Sequence, residues 1–189
     1  MGRVVVSQFM TVDGVFEDPG GSEGNEWGGW ALQFDRGEDG DKFKLDEVMA
    51  SDALLLGRVT YEGFAAAWPT RDGEFADKFN GMQKYVVSST IGEPQWNNTE
   101  VVTVDDVAAL READGGAILV NGSAQLVDEL LDRDLVDELR LMVFPTVLGS
   151  GRRLFGDTGA SKRFQLVESR SVGPEGVAIL IYQPVTRED

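Results

Sequence analysis

The stretch "ALLLGRVTYEGF", residues 53–64, decides how the chain is read. Four apolar residues run into Gly57-Arg58, and Thr60, Tyr61 and Glu62 then open a helical pattern. A short apolar run bounded by glycine reads as a buried central strand. The helix after it is stopped by Trp68-Pro69, because proline disfavours helical geometry in the residue before it. A strand feeding directly into a helix is the repeating unit of a parallel sheet. Gly57 lets another group approach the backbone closely, and a helix start carries unpaired N–H groups. The turn is therefore either ordinary punctuation or a place for an anion.

The same unit recurs outward. "RVVVSQFM" (3–10) reads as a buried strand and "DKFKLDEVMASD" (41–52) as an amphipathic helix, with Phe43, Val48 and Met49 near one face. "KYVVSS" (84–89), "TEVVTV" (99–104) and "AILVNG" (117–122) are further strands. Asp105-Asp106 are expected to cap one helix and Ser123 the helix "AQLVDELLDRD". "VDELRLMVFPTVLG" carries a sixth strand, ended by Pro145, and a glycine-rich loop spans 149–163. Segments 164–172 and 176–185 form a closing hairpin around Gly173-Pro174-Glu175-Gly176. The alternation predicts a mostly parallel sheet with helices on both faces and an antiparallel end, in one domain over 1–189. Residues 11–38 form a long glycine-rich loop, yet they hold Phe16, Trp27, Trp30 and Phe34. A bare linker would not carry four large aromatics.

Composition narrows the chemistry. The formal charge is −16, and only five of the 17 basic residues are Lys. Nucleic acid and anionic membranes are disfavoured as partners. No apolar run reaches the length of a membrane span, and the N-terminus lacks the shape of a signal peptide, so a cytoplasmic protein is expected. There is no His and no Cys. Neither the commonest general base nor the usual zinc ligands are present, and no metal site is expected. Any catalysis must use carboxylates, hydroxyls, Arg or Lys, backbone dipoles or a borrowed cofactor.

Three predicted strands end in residues suited to phosphate. Gly57-Arg58-Val59-Thr60 opens a helix, Ser88-Ser89-Thr90 offers three hydroxyls, and Asn121-Gly122-Ser123 again runs into a helix start. Each alone reads equally as ordinary capping. Together they point to one sheet edge, where ligands of open α/β sheets bind. Neither the dinucleotide fingerprint GxGxxG nor the phosphate loop GxxxxGK[ST] occurs.

With "TVDGVF", "LLLGRVTYEGF", "KYVVSST", "ILVNGSAQLVDELL" and "DLVDELRLMVFPTVLGSGRRLF", the chain resembles the dihydrofolate reductase superfamily over nearly its whole length. Within it, the chain is most similar to the C-terminal reductase domain of bifunctional riboflavin-biosynthesis proteins. The resemblance implies a three-layer α/β sandwich around an eight-stranded mixed sheet. It also implies NADPH bound along the carboxyl edge and hydride transfer to a pyrimidine or pteridine-like substrate. The activity implied is most like that of 5-amino-6-(5-phosphoribosylamino)uracil reductase. Reduction of dihydrofolate, or a non-catalytic scaffold of the same fold, are the alternatives.

Carried over by position, Gly57, Arg58, Val59 and Thr60 would hold the cofactor's phosphates. Val87, Ser88 and Ser89 would flank its adenosine, and Gly122, Ser123, Ala124 and Gln125 would cradle the pyrophosphate. Thr11, Val12, Asp13 and Gly14 would lie near the nicotinamide. Relatives often have a cis Gly-Gly peptide where this chain has Asn121-Gly122, and the same local geometry is expected here. They also often carry a basic residue near Ala124, whose absence leaves Arg58 and the serines to choose NADPH over NADH.

Reduction of a C=N bond also needs a proton. Asp13 is the first candidate, and equally a turn residue in an Asp-Gly pair. Asp41 is the second: it lies sixteen residues before Gly57, the interval at which bacterial dihydrofolate reductases place their substrate-binding carboxylate, though it also suits a helix start. Trp27, Trp30 and Trp68 suit a flat heterocycle, or close the core. Arg152 and Arg153 suit a ribose phosphate, or a solvated turn. Relatives in this branch are often dimers, and "LRLMVF" is apolar enough to support a homodimer.

Overall fold

The computed structural model describes residues 2–113, 115–156 and 161–185. The first strand, β1 (Arg3–Thr11), leads through the long loop and a short 3-10 turn (Trp30–Gln33) into α1 (Gly37–Met49). Then come β2 (Ser51–Gly57), α2 (Arg58–Ala67), α3 (Glu74–Gly81), β3 (Gln83–Val87), β4 (Thr99–Val102) and α4 (Val104–Glu112). The chain continues through β5 (Ala117–Val120), α5 (Ala124–Asp132), β6 (Glu138–Phe144), β7 (Phe164–Val172) and β8 (Val177–Pro184). The strands form one eight-stranded sheet in the order β4-β3-β2-β5-β1-β6-β8-β7. The first six strands run parallel, and β8 pairs antiparallel with both β6 and β7. This is the expected dihydrofolate-reductase-like three-layer α/β fold. Among the described residues, no helix is long and apolar enough to cross a membrane.

Alternation along the strands assigns the layers. Val4, Val6 and Leu55 pack with Val107 of α4 and Leu126, Val127 and Leu130 of α5. Val5, Leu54 and Leu56 pack on the other face, with Val48, Tyr61 and Phe79 of α1, α2 and α3. Because successive strand side chains point to opposite faces, the run Leu54-Leu55-Leu56 must be apolar throughout, and all three are fully buried. A third cluster around Phe144 joins Trp30 and Phe43 to β6 and β8.

Several local expectations are corrected. The N-cap of α4 is Thr103, not the Asp pair: its hydroxyl accepts from the Asp106 N–H while the Asp106 carboxylate accepts from Thr103 N–H at 2.8 Å. This capping box also ends β4 earlier than the sequence suggests. Helix α3 was not apparent from the sequence, because it starts at Gly73 without a capping side chain. It is held by the stacking of Phe75 and Phe79 on Trp68. The segment "LRLMVF", on which a homodimer was expected, has both of its edges paired within the sheet. It is β6, enclosed between β1 and β8, with Leu139, Leu141, Met142 and Phe144 buried. Within the loop over 149–163, residues 157–160 lie outside the described residues.

Candidate active site

Parallel pairing puts the carboxyl ends of β1, β2, β3, β5 and β6 on one edge of the sheet. Gly57 lies beside Val87, Leu55 beside Val120, and Thr11 beside Phe144. The turns at 57–60, 88–90 and 121–124 therefore share that edge.

Two glycine contacts hold the first and third turns together. A Cβ on Gly57 would lie 2.3 Å from Ser123 Oγ and 2.5 Å from Ser123 Cβ. A Cβ on Gly122 would lie 2.6 Å from Thr60 Oγ1. Gly57 has ordinary extended dihedrals, so it is required for space and not for its backbone angle. Gly122 is required for both, with φ of 81°. The Asn121–Gly122 peptide is trans, contrary to the expectation from the relatives. The turn is made instead by positive φ at Gly122 and at Ser123, where φ is 67°.

Ser123 occupies the N-cap position of α5, but its hydroxyl makes no capping bond. The N-terminus of α2 likewise has no side-chain cap. Helix α4, which begins at the sheet's β4 margin, has a complete capping box. The two helix starts that meet at this edge thus keep N–H groups and the positive end of the dipole unclaimed by side chains, as anion sites do. Val59, Thr60, Ala124 and Gln125 lie in these first turns. Ser88 is partly committed, since its hydroxyl accepts from Thr90 N–H and Ile91 N–H at 3.1 Å each. Ser89 beside it is exposed. Arg58 is half-exposed and donates from Nη1 to both oxygens of Glu62, at 3.1 and 2.9 Å.

The loop after β1 is closed by Asp13. Its carboxylate accepts from Thr11 Oγ1 at 2.6 Å and from the Gly149 and Leu148 N–H groups at 2.9 and 3.3 Å. Gly14, with φ of 84°, accepts at its carbonyl from Leu154 N–H, and Arg153 donates to the Asp13 carbonyl. The Thr11 hydroxyl bond, with the two backbone donors, holds the Asp13 carboxyl below the usual carboxylate range. A carboxylate bonded in this way ties the turn after β1 to the 148–149 segment. A pKa lowered by folding adds stability that is complete above the unfolded value of 3.8 and is lost as pH falls below it. Asp13→Ala is therefore expected to flatten the acid limb of a plot of unfolding free energy against pH, measured with urea between pH 3 and 6. An unchanged acid limb would remove this clamp from the account.

Asp41 is also displaced from the site. It lies on the solvent side of α1, ion-paired with Arg36 at 2.6 Å. The buried carboxylate of that helix is Glu47, which accepts from Ser7 Oγ at 2.9 Å and pairs with Lys44. Trp30 is a core residue donating to the Glu17 carbonyl, and Trp68 sits in the aromatic stack of α3. Of the three tryptophans only Trp27 keeps a buried indole N–H without a partner, beside Gly151. Arg152 is exposed and pairs loosely with Glu17 at 3.6 Å.

A cleft of about 530 Å³ opens between the long loop and α2, lined by Ser22, Glu23, Val59, Gly63, Ala66 and Ala67. Small residues at helical spacing on α2 leave this room. Val12, Val59 and Val147, each just beyond a strand end on this edge, are exposed. The loop wall is built on buried Asp18. Its carboxylate accepts from the Glu23 and Asn25 N–H groups, and its carbonyl from Gly21 and Gly29. Glu23 is the carboxylate that the sequence did not reveal. Burial against the loop, then the charges of Asp18 and Glu17, raise its pKa above the usual range, with Arg152 opposing. No residue spacing signals this, because Glu23 sits in a glycine-rich loop whose shape comes from Asp18.

The family model for the RibD C-terminal domain matches residues 3–178. The chain belongs to the RibD C-terminal domain family. Its relatives include two Bacillus subtilis (strain 168) proteins, uncharacterized protein YyaP and uncharacterized protein YwjB. YyaP is 26% identical over 95% of this chain and 94% of its own length, and YwjB 27% identical over 90% and 92%. Among solved structures, a putative riboflavin biosynthesis protein from Shewanella sp. PV-4 superposes with a TM-score of 0.78 at 23% identity, covering 97% of this chain and 99% of that one. Dihydrofolate reductase from Enterococcus faecalis, in complex with NADP(H) and RAB-propyl, gives 0.64 at 15%, covering 97% of each chain. A pyrimidine reductase-like protein from Corynebacterium diphtheriae gives 0.63 at 14%, covering 98% of this chain and 92% of that one. Membership in this family supports an oxidoreductase.

Proposed function

We propose that the protein is an NADPH-dependent reductase of a C=N bond in a pyrimidine or pteridine-like heterocycle, most like the ribosylaminopyrimidine reductase step of riboflavin biosynthesis. The observation that carries this reading is the joining of two uncapped helix starts by the Gly57–Ser123 and Gly122–Thr60 contacts, beside an open cleft. A pyrophosphate fits such a cradle, because its charge meets free N–H groups and no Cβ intrudes. Gly57, Arg58, Val59, Thr60, Gly122, Ser123, Ala124 and Gln125 would hold the phosphates, with Val87, Ser88 and Ser89 along the adenosine. Thr11 and Gly14 would border the nicotinamide. When bound, the reduced nicotinamide supplies a hydride.

The protein's own part is to orient the acceptor, exclude water and deliver a proton. The cleft walls suit a flat ring, and Glu23 is the carboxyl on that wall whose pKa is raised, which favours its acting as the proton donor. Arg152, held near Glu17, would meet an anionic substituent of the substrate. A cytoplasmic setting fits this chemistry.

The test is NADPH binding followed by NADPH consumption over a panel of ribosylaminopyrimidines, pterins and dihydrofolate. Turnover on the phosphoribosylated pyrimidine supports the proposal, and turnover on dihydrofolate alone replaces the substrate. Tight binding without consumption indicates a scaffold, and no binding of NADPH removes the reading. On the active substrate, Glu23→Gln is expected to slow turnover by roughly 10²-fold or more with NADPH affinity unchanged. Wild-type rates would return Glu23 to the loop.

A further inference from the structure

The three strand-end turns at 57–60, 88–90 and 121–125 carry a single basic side chain, Arg58. It stands in the first turn of α2, where a cation opposes the helix dipole. Glu62 answers that charge from one turn onward, with both carboxylate oxygens on Arg58 Nη1. An Arg four residues before a Glu is the less favourable order for such a pair, and both side chains are half-exposed, so the contact is readily exchanged. The guanidinium keeps other N–H donors free, but its positive charge is already answered.

We propose that Glu62 sets the choice between NADPH and NADH by neutralising Arg58 and by placing a carboxylate beside any phosphate that Arg58 receives. The inference rests on the cofactor reading given above. The two cofactors differ by one phosphate, so where Arg58 receives that phosphate and not the shared pyrophosphate, a charge acting through Arg58 changes the affinity of NADPH and leaves that of NADH alone. With Glu62 in place, the preference for NADPH is smaller than Arg58 alone would give. Without its charge, NADPH gains.

The experiment is fluorescence titration of the full chain with NADPH and with NADH, for wild type, Glu62→Gln, Glu62→Ala and Arg58→Ala, at low and high salt. Glu62→Gln keeps the size and helix position of the side chain and removes only the charge. It is expected to tighten NADPH roughly three- to tenfold and to leave NADH within about twofold. The gain should fade near 1 M salt, where the screening length falls to about 3 Å. Weaker NADPH binding in Glu62→Gln and Glu62→Ala would make Glu62 a positioning residue for Arg58 and overturn the proposal. An unchanged NADPH/NADH ratio overturns it too, and the cofactor reading then survives if Arg58→Ala still loses NADPH selectively. Wild-type protein that binds neither cofactor overturns both.

Discussion

Gly57→Ala is expected to weaken NADPH by roughly a hundredfold, about 2.7 kcal/mol, and to cost about 2 kcal/mol of stability. The added methyl would lie 2.5 Å from Ser123 Cβ, which is fixed to the backbone and cannot rotate away. Helix α5 cannot retreat cheaply either, since Leu126, Val127 and Leu130 are buried in the core beneath it. The conflict must therefore open the gap between the two helix starts. Isothermal titration with NADPH and urea unfolding measure the two effects. The double variant Gly57→Ala with Ser123→Gly removes the opposing atoms, and glycine accepts the φ of 67° that Ser123 already holds. It should recover most of the stability. A single variant that binds like wild type would show that the close approach does not build the cradle.

Lys84→Met is expected to cost about 3 kcal/mol at pH 7, where removing one partner strands buried polar groups. Lys84 is fully buried, and its Nζ donates to the carbonyls of Asn80, Met82 and Asn97 at 3.1, 2.7 and 2.9 Å. It also lies 4.5 Å from the centre of the Trp96 ring. These contacts tie the end of α3 and the segment before β4 to β3. The carbonyls decide the sign: methionine fills the space but leaves three acceptors without a donor.

Burial pushes the Lys84 ammonium down to about 8 from 10.5. The unfolded chain then binds the proton more tightly across that window, so this contribution to stability is lost as pH falls through 8 and is regained toward 10.5. Between pH 7 and 9.5 the gain for wild type is about 2 kcal/mol. Urea unfolding at the two pH values should show it in wild type and not in Lys84→Met. Equal slopes in both proteins would assign the pH dependence elsewhere.

Much of the fold was legible because its signals are local. The run Leu54-Leu55-Leu56 must be a strand covered on both faces, and its glycine end and the pattern of α2 follow within a dozen residues. The closing hairpin was equally plain from Gly173-Pro174-Glu175-Gly176. Helix α3 was not, since it has no capping side chain and depends on Trp68, in the turn before it. At the site, Gly57, Gly122 and the helix starts were legible as a pattern, and their meeting was not. The spacing of Asp41 pointed to a substrate carboxylate, but helix rotation leaves it in solvent beside Arg36.

By itself the sequence determined the strand–helix alternation, the glycine-ended strands and a chemistry without His, Cys or bound metal ligands of those types, because composition and periodicity are properties of neighbouring residues. Only the tertiary structure decided how the environments of the carboxylates differ. Asp13 is held ionised by Thr11 and by backbone groups 135 and 136 residues further along the chain, while Glu23 is raised by burial and by the charges that Asp18 and Glu17 bring against it. A carboxyl group's pKa depends on what surrounds it in space, and the loop around Asp18 creates that surrounding only once the chain has folded.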